Sequence, residues 1–266
     1  SSSWSSIAAP SAEVASWLEK NGYGEPVLLR YGQWLGVLPG WVVVGTDGIT
    51  RGRCIDEGMA PEAAPRFCGV LQGDWGYSRV FRSEVADVIA RGLGLTAKLM
   101  FWVLVVMVPG ALVVGVIAGM REGSGTDRAL SAGSILTTAT PEYVSGVVFI
   151  AVFTSSAVGL KWFNGSATSA MEQATLSNFT LPVMTIALYG MGYIARMTRA
   201  SMAEVMTAQY IRTARLKGVS FRNVVLRHAL RNALIAPFTV IMLQFPWLLT
   251  GVVIVETLFN YKGFGW

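Results

Sequence analysis

Charged residues are scarce in this sequence. Asp, Glu, Lys and Arg make up only 14% of its 266 residues, whereas 53% are hydrophobic and the mean hydropathy is +0.49. A soluble globular domain carries about 25% charged residues. The shortage of charge therefore argues against a soluble domain and favours a chain whose apolar segments lie in a bilayer.

Histidine and cysteine are rarer still, at one and two residues. With His228 as its only histidine, the chain has no HExxH motif and no Cys/His cluster, so the sequence predicts no metal site. A phosphate-binding GxxxxGK(S/T) loop is also missing, which predicts that the chain has no ATPase activity of its own. The apolar segments lack the paired Asp, Ser/His or His/Glu groups of an intramembrane enzyme. They also lack the repeated filter or charged ring of a passive channel.

Four long runs of the sequence are almost free of charge. A helix rises 1.5 Å per residue, so about 20 apolar residues cross the hydrocarbon core. We predict membrane spans at about 95–120, 130–159, 178–197 and 233–257. The chain then divides into an N-terminal segment, residues 1–94, and a transmembrane domain, residues 95–266.

The loop before the last span, residues 198–232, is strongly basic. Eight basic residues lie in this loop or directly before it: Arg196, Arg199, Arg212, Arg215, Lys217, Arg222, Arg227 and Arg231. Glu204 is the only acidic residue in the same stretch. The positive-inside rule places this loop in the cytoplasm and residues 1–94 on the extracytoplasmic face of a multi-pass plasma-membrane protein. Nearly a hundred residues then precede the first span without a signal peptide. We therefore expect an anchor helix before Ser1 and further sequence after Trp266.

The N-terminal segment has the mixed composition of a folded extracytoplasmic domain. We predict helices at Ser11–Asn21 and Pro26–Val37, a small hairpin around Thr46-Asp47-Gly48, and a helix from Ser83 that leads into the membrane. Both cysteines, Cys54 and Cys68, fall in this segment. On an oxidising face they would form a disulfide, and the alternative is two free thiols in a small core.

The basic loop is predicted to form a helix, a break and a second helix. Met202–Leu216 contains good helix formers, Gly218 suits a C-terminal cap with positive φ, and Ser220 can cap the next helix. The second helix has an apolar stripe and a charged side: the stripe is Phe221, Val224, Val225 and Leu226, and the charged side is Arg222 and Arg227. Such a helix pair either binds anionic lipid or docks into a groove of a soluble partner.

Residues 212–218, Arg-Thr-Ala-Arg-Leu-Lys-Gly, resemble the cytoplasmic EAA loop of ABC-importer permeases in the oligopeptide, dipeptide and nickel branch. The same branch is matched in order at 71–78, 193–201, 255–259 and 263–265, so the resemblance covers roughly 25–266. Two departures stand out. Arg-Thr-Ala replaces the general Glu-Ala-Ala, and a long insertion carrying both cysteines lies between Gly36 and Leu71.

The resemblance implies an all-α membrane protein with the transmembrane domain of a type I ABC importer. The inserted extracytoplasmic subdomain is expected to be poor in regular α and β structure. The chain would be a permease subunit of a bacterial inner membrane, forming half of the pathway for peptides or a related small solute. Its implied partners are a second homologous permease, two cytoplasmic ATPases that bind ATP and Mg²⁺, and an extracytoplasmic substrate-binding protein. The resemblance implies that this chain binds no cofactor and has no nucleic-acid partner. The alternative is an ATP-independent membrane channel or scaffold.

The resemblance also assigns the ATPase-coupling residues: Arg212, Thr213, Ala214, Arg215, Lys217, Gly218, Val219, Ser220, Phe221 and Arg222. Among them, the ATPase contact is expected at Ala214 and at residues 218–221, flanked by Arg215, Lys217 and Arg222. The substrate is not specified by this chain, because the binding protein selects it.

Several residues within the spans have two interpretations. Gly115 and Gly119 form a GxxxG pair that allows close helix approach, but membrane helices also tolerate glycine without such a contact. Pro109 and Pro246 either act as hinges or mark irregular packing. Glu142 either lines a pathway through the membrane or lies at the interface.

Overall fold

A computed structural model describes residues 14, 17–18, 23–45, 48–55, 58–155 and 160–266. The chain divides into two compact units, Ser1–Ala90 and Arg91–Trp266. The division lies four residues before the boundary expected from the sequence. Each unit is described separately below.

Short elements build the N-terminal unit and long helices build the C-terminal unit. The α-helices and strands are α1 (Val27–Leu35), β1 (Val42–Val44), β2 (Thr50–Gly52), β3 (Tyr77–Ser78), β4 (Ser83–Glu84), α2 (Val85–Met120), α3 (Gly125–Ala139), α4 (Glu142–Phe153), α5 (Leu176–Met206), α6 (Gln209–Leu216), α7 (Phe221–Asn223), α8 (Leu230–Ala233) and α9 (Ile235–Leu258). A π-helical turn, Val224–Ala229, joins α7 to α8, and single 3₁₀ turns lie at Pro61–Ala63, Val70–Gln72 and Thr168–Met171.

The N-terminal unit contains the second predicted helix and the predicted hairpin. Helix α1 ends at Gly36, whose positive φ of 86° forms a left-handed C-cap. Strands β1 and β2 pair antiparallel, with Val43 opposite Arg51, and β3 pairs with β4. Most of the predicted helix 11–21 lies outside the described residues, although Val14 and 17–18 are helical.

Cys54 and Cys68 are joined in a disulfide across 14 residues, with their Cα atoms 5.6 Å apart. The crosslink ties the turn after β2 to the segment before the 3₁₀ turn at Val70. The disulfide lies in a unit with little regular structure. It restricts the conformations that this unit can adopt when it is unfolded.

We expect the disulfide to stabilise the N-terminal unit by about 3 kcal/mol, because it removes loop-closure entropy from the unfolded chain. A non-reduced digest of fresh protein should yield one linked peptide pair by mass spectrometry. Reductant should lower the denaturation midpoint of the wild type but leave a Cys54→Ser/Cys68→Ser variant unchanged. Recovery of two separately alkylated cysteines would disprove the crosslink.

Among the described residues, two helices are long and apolar enough to cross a membrane unaided. Helix α2 has 36 residues and a mean hydropathy of 2.6 in its most apolar window, and α9 has 24 residues and a value of 2.0. Both continue through an internal proline, Pro109 and Pro246. Helix α5 occupies the third predicted span but carries more polar residues and is not among these candidates.

The second predicted span, 130–159, is not one straight helix. It is broken between α3 and α4, which are bent by 105° and could together make a third span. The break falls at Thr140 and Pro141. Proline has no N–H to donate and disfavours helical geometry in the residue before it, so the helix ends there despite the continuing apolar sequence.

Helix α5 lies at the centre of the C-terminal unit, in contact with α3, α4 and α9. Helix α2 approaches α5 along the predicted GxxxG pair. A Cβ placed on Gly115 would lie 2.6 Å from the Ala195 carbonyl oxygen, and one on Gly119 would lie 2.7 Å from that of Arg199. Only glycine permits this approach of the two backbones, so the close-contact interpretation of the pair is the one the structure supports.

Candidate functional site

The break in the basic loop is a complete Schellman motif. Helix α6 ends at Leu216, and Gly218 follows with a φ of +77°. The Gly218 N–H donates to the Arg215 carbonyl at 3.0 Å, and the Val219 N–H donates to the Ala214 carbonyl at 3.2 Å. These two bonds satisfy carbonyls that the end of α6 leaves unpaired, and they need the left-handed backbone that glycine adopts freely. The predicted turn at Gly218 is confirmed.

A second apolar cluster of the C-terminal unit supports the loop from behind. We call it the loop cluster: Met202, Ile211, Ala214, Val224, Val225, Ala229 and Ala233, with Val219 packed at its edge. Its buried members come from α5, α6, the π-helical turn and α8. Helix α6 before the break and the π-helical turn that follows α7 are therefore held by packing within this chain.

Two apolar side chains on either side of the break point away from the loop cluster. Leu216 is 81% exposed and Phe221 is 45% exposed. The Arg215 guanidinium lies 6.0 Å from the centre of the Phe221 ring, at the outer limit of a cation–π contact. Leu226 and Tyr210 are also exposed. The loop thus presents apolar groups among arginines and lysines on a braced framework.

Several details of the predicted loop were wrong. The predicted helix 202–216 is broken after Met206, where the Thr207 N–H and hydroxyl both turn back to the Glu204 carbonyl. Ser220 occupies the N-cap position, but its side chain makes no capping hydrogen bond. Ala214 is buried in the loop cluster rather than presented outward.

The apolar stripe predicted for the second helix is divided between two faces. Val224 and Val225 are buried in the loop cluster, whereas Phe221 and Leu226 are exposed. Among the assigned residues outside the cluster, Arg212, Thr213, Arg215, Lys217, Gly218, Ser220 and Arg222 are exposed and Val219 is half-buried. Their role at an ATPase stays a prediction.

Arg199, near the end of α5, is clamped to Asp127 at the start of α3. Its Nε donates to Oδ1 at 3.0 Å and its Nη2 to Oδ2 at 2.7 Å. Asp127 is only 3% exposed and also accepts from the Gly123 N–H at 2.8 Å and the Ser131 hydroxyl at 3.1 Å. Glu122 Oε1 lies 3.5 Å from the same Nη2. The clamp fixes the α2–α3 turn to the helix that leads into the basic loop.

Both partners of the clamp are shifted towards their charged forms. The hydrogen bond from Arg199, followed by that from the Gly123 N–H, holds the pKa of Asp127 well below its usual range despite burial. The hydrogen bond to Asp127 raises the pKa of Arg199. Two-point contact between a guanidinium and a carboxylate is among the strongest polar contacts in proteins, and here it is largely withdrawn from water.

Glu256, near the end of α9, is completely buried and joins three segments of the C-terminal unit. The Thr96 hydroxyl of α2 donates to Oε1 at 2.5 Å, and the Trp266 N–H donates to Oε2 at 3.0 Å. The Phe264 N–H donates to the Thr96 oxygen at 2.8 Å. Burial, followed by the charge of Glu256, raises the pKa of Tyr261 to about 12. The carboxylate thus fixes the residues after α9 against α2.

Glu142 lies at the first turn of α4, directly after the break at Pro141. It is half-buried, and its Oε1 faces Gly251 of α9, 3.2 Å from where a Cβ would stand. His228 is exposed in the π-helical turn. Across the described residues, no group of three or more His, Cys, Asp and Glu side chains is arranged to hold a metal ion.

The family described as the binding-protein-dependent transport system inner membrane component matches residues 111–266. The chain belongs to this family. The match includes α3 to α9, the Arg199–Asp127 clamp and the whole basic loop.

Several permease proteins are similar in sequence to this chain over most of its length. The glutathione transport system permease protein GsiC of Shigella boydii is 37% identical over 199 residues, which cover 73% of this chain and 61% of that protein. GsiC of Escherichia coli is 36% identical with the same coverage. The probable peptide ABC transporter permease protein y4tP of Sinorhizobium fredii is 33% identical, covering 74% of this chain and 63% of that protein. The chain spans about three fifths of the length of these relatives.

Family membership confirms the resemblance found in the loop and the predicted fold class. The chain is an all-α membrane protein with a type I importer transmembrane domain, and the family is a membrane component of transport systems rather than a catalytic enzyme.

Leu216 was absent from the assigned site residues, although it is the most exposed large apolar side chain of the loop. The sequence of α6 indicates that Leu216 is exposed. Ile211 and Ala214, three residues apart, define the buried face of α6, and Leu216 lies off that face.

Proposed function

We propose that this chain is a permease subunit of an ABC importer, forming half of the translocation pathway for peptides or a related small solute. Its partners would be a second homologous permease, two ATPases that hold ATP and Mg²⁺, and an extracytoplasmic binding protein that delivers the substrate. Family membership and the names of relatives that transport glutathione or peptides support the proposal.

The proposed orientation places loop 198–232 in the cytoplasm and residues 1–94 on the extracytoplasmic face. The basic loop supports the first placement through the positive-inside rule. The disulfide supports the second, because disulfides persist on oxidising faces of membranes.

The exposed pair Leu216 and Phe221, projecting from a braced loop, is the observation that carries the function. An apolar side chain exposed in water gains free energy when a partner's groove covers it. The Schellman motif and the loop cluster fix the direction of both side chains. In the proposed mechanism, ATP-driven closure of the ATPases displaces this pair, and the clamp and α5 transmit the displacement to the spans.

Replacement of Leu216 by Ala should weaken retention of the ATPase subunits by about 30-fold, if a groove covers most of the side chain and its burial contributes about 2 kcal/mol. Phe221→Ala should have a smaller or equal effect, because its ring is already half covered by its own chain. The measurement is copurification of the coexpressed ATPases with the detergent-solubilised permease, together with substrate-stimulated ATP hydrolysis.

Arg227→Ala is the matched control, since Arg227 is exposed in the same loop, is charged and solvated, and is not among the assigned coupling residues. It should retain the ATPases nearly as well as the wild type. Equal retention by all three variants would refute docking through this pair. If the variants instead lost binding to anionic vesicles and kept the ATPases, the loop would be a lipid-binding element.

The substrate class can be tested through the binding protein. We expect a peptide to copurify with the binding protein encoded beside this chain, and mass spectrometry of the released ligand identifies it. A non-peptide solute would correct the substrate while leaving the transport function in place.

A further inference from the structure

The N-terminal unit contains a cavity of 1190 Å³ between α1, the β1–β2 hairpin and the residues around β3. Aromatic side chains, including Trp34, Trp41 and Tyr77, form part of its wall. Its size is sufficient for a small organic ligand, since such sites typically measure about 300–1,000 Å³. Nothing in the family match, which begins at residue 111, accounts for it.

Charged residues form part of the cavity wall. Among the described residues they are Arg30, Arg51, Arg53, Arg79, Asp74 and Glu84. The Arg30 guanidinium lies 4.4 Å from the centre of the Tyr23 ring, so one face of this guanidinium is already in contact with an aromatic side chain. A cationic side chain of the wall that lacks hydrogen-bond partners favours an anionic ligand.

Three buried polar atoms of the cavity wall have no hydrogen-bond partner within the part of the chain that the structure describes. Gln33 is 8% exposed, and its Nε2 donates to Glu25 Oε2 at 2.7 Å, but its Oε1 accepts nothing. The Nε and Nη2 atoms of Arg53 likewise have no hydrogen-bond partner. Asp74 Oδ2 forms an ion pair with Nη2 at 3.9 Å, a separation too long for a hydrogen bond. A buried polar group without a hydrogen bond is destabilising, and a ligand that supplies the bond removes this cost.

The Nε and Nη2 nitrogens of Arg53 form one edge of its guanidinium. The same edge of Arg199 is the one that holds both carboxylate oxygens of Asp127. A carboxylate is therefore the group that matches Arg53 atom for atom. Gln33 Oε1 requires a different partner, a donor such as an ammonium, amide N–H or hydroxyl.

We propose that this cavity binds a small carboxylate-bearing molecule of the amino-acid or peptide class. The carboxylate pairs with the Nε–Nη2 edge of Arg53, an amine or amide N–H donates to Gln33 Oε1, and the aromatic wall covers the apolar part. The site lies wholly in the N-terminal unit and does not depend on the proposed transport function.

The test compares two probes on the full chain in detergent, without ATPases. We expect the dipeptide alanylphenylalanine to change the tryptophan fluorescence saturably, because Trp34 and Trp41 line the cavity. Alanylphenylalanine amide, in which an uncharged amide replaces the carboxylate, should bind at least about tenfold more weakly than the free acid. The amide cannot form the charged two-point contact. The N-acetylated dipeptide should also bind more weakly if the donor to Gln33 is the ammonium group.

Arg53→Lys keeps the positive charge but removes the two-nitrogen edge of the guanidinium. The variant should therefore bind the free acid no more tightly than it binds the amide. Arg66→Lys is the matched control, because Arg66 is exposed in the same unit and does not line this cavity. A denaturation midpoint equal to that of the wild type verifies that the variants are folded. If Arg53→Lys does not fold, the comparison of acid with amide on the wild type still decides the proposal.

Equal binding of acid and amide, unchanged binding by Arg53→Lys, or no saturable response to millimolar dipeptide would each overturn the site. Equal competition by inorganic phosphate would show a general anion site and overturn the carboxylate assignment. Binding of the substrate-binding protein to this surface without any dipeptide response would show a protein contact instead.

Discussion

Replacement of Gly218 by Val should abolish coupling between ATP hydrolysis and transport. The backbone here has a φ of +77°, a region that β-branched residues rarely enter. Holding valine in this conformation costs about 1–3 kcal/mol, which lowers the population of the native turn by about 5- to 150-fold. The Schellman bonds from Gly218 and Val219 would be lost, and the position of Phe221 relative to Leu216 would no longer be fixed. We expect normal membrane expression, weak retention of the ATPases and little uptake.

Two controls separate the backbone effect from the side chain. Gly218→Asn should retain most activity, because asparagine tolerates the left-handed region. Lys217→Val places the same side chain one residue earlier, where φ is −76° and no strain arises. The space around Gly218 is open, so a steric clash is not an alternative explanation. If Gly218→Val transports like the wild type, the loop is not the coupling element.

Removal of Arg199 from the Arg199–Asp127 clamp should destabilise the C-terminal unit by about 3–5 kcal/mol, because the Asp127 carboxylate is left buried without its cation. Arg199→Gln removes the charge and keeps a side chain that can donate hydrogen bonds. We expect a large fall in the denaturation midpoint and rapid proteolysis between α2 and α3. The double variant Asp127→Asn/Arg199→Gln should recover part of the loss, since neither charge then remains.

Glu122→Gln is the control, because its carboxylate is half exposed and lies farther from Arg199, at 3.5 Å. It should change the midpoint little. Additive losses in the double variant would contradict a direct charge pair.

The stability that the clamp provides should not change across about pH 5–9. The pKa of Asp127 is lowered, so its contribution is present above the unfolded pKa and lost only as pH falls through the lower folded value. The pKa of Arg199 is raised, so its contribution is present below the unfolded pKa and lost only as pH rises through the folded value. Both losses therefore lie outside pH 5–9.

Features that depend on neighbouring residues could be predicted from the sequence. Gly218 and the cysteine pair are examples, because a glycine after a helical segment and two cysteines in one short segment are local signals. The 36-residue helix α2 and the helix α9 likewise follow from hydropathy alone. The break at Pro141 was also a local signal, but it was obscured because no charged residue lies between Arg128 and Glu142.

Features that depend on distant residues could not be predicted. Ala214 faces inward because Met202 and Ala233, from other helices, complete the loop cluster. Asp127 and Arg199 are 72 residues apart, and the sequence offers several other acids and arginines as partners. Charge pairing across helices is decided by their packing, which hydropathy does not specify.

The buried Glu256 has a consequence for the order in which the chain folds during synthesis. Its bond to Thr96 joins residues 160 positions apart. A ribosome adds about 5–20 residues per second, so α2 is made roughly 8–32 seconds before its partner exists. During that interval the Thr96 hydroxyl cannot make its native bond, and the N-terminal third of α2 lacks the residues that pack against it. Closure of the C-terminal unit is therefore a late event, completed only after the residues that follow α9 have been translated.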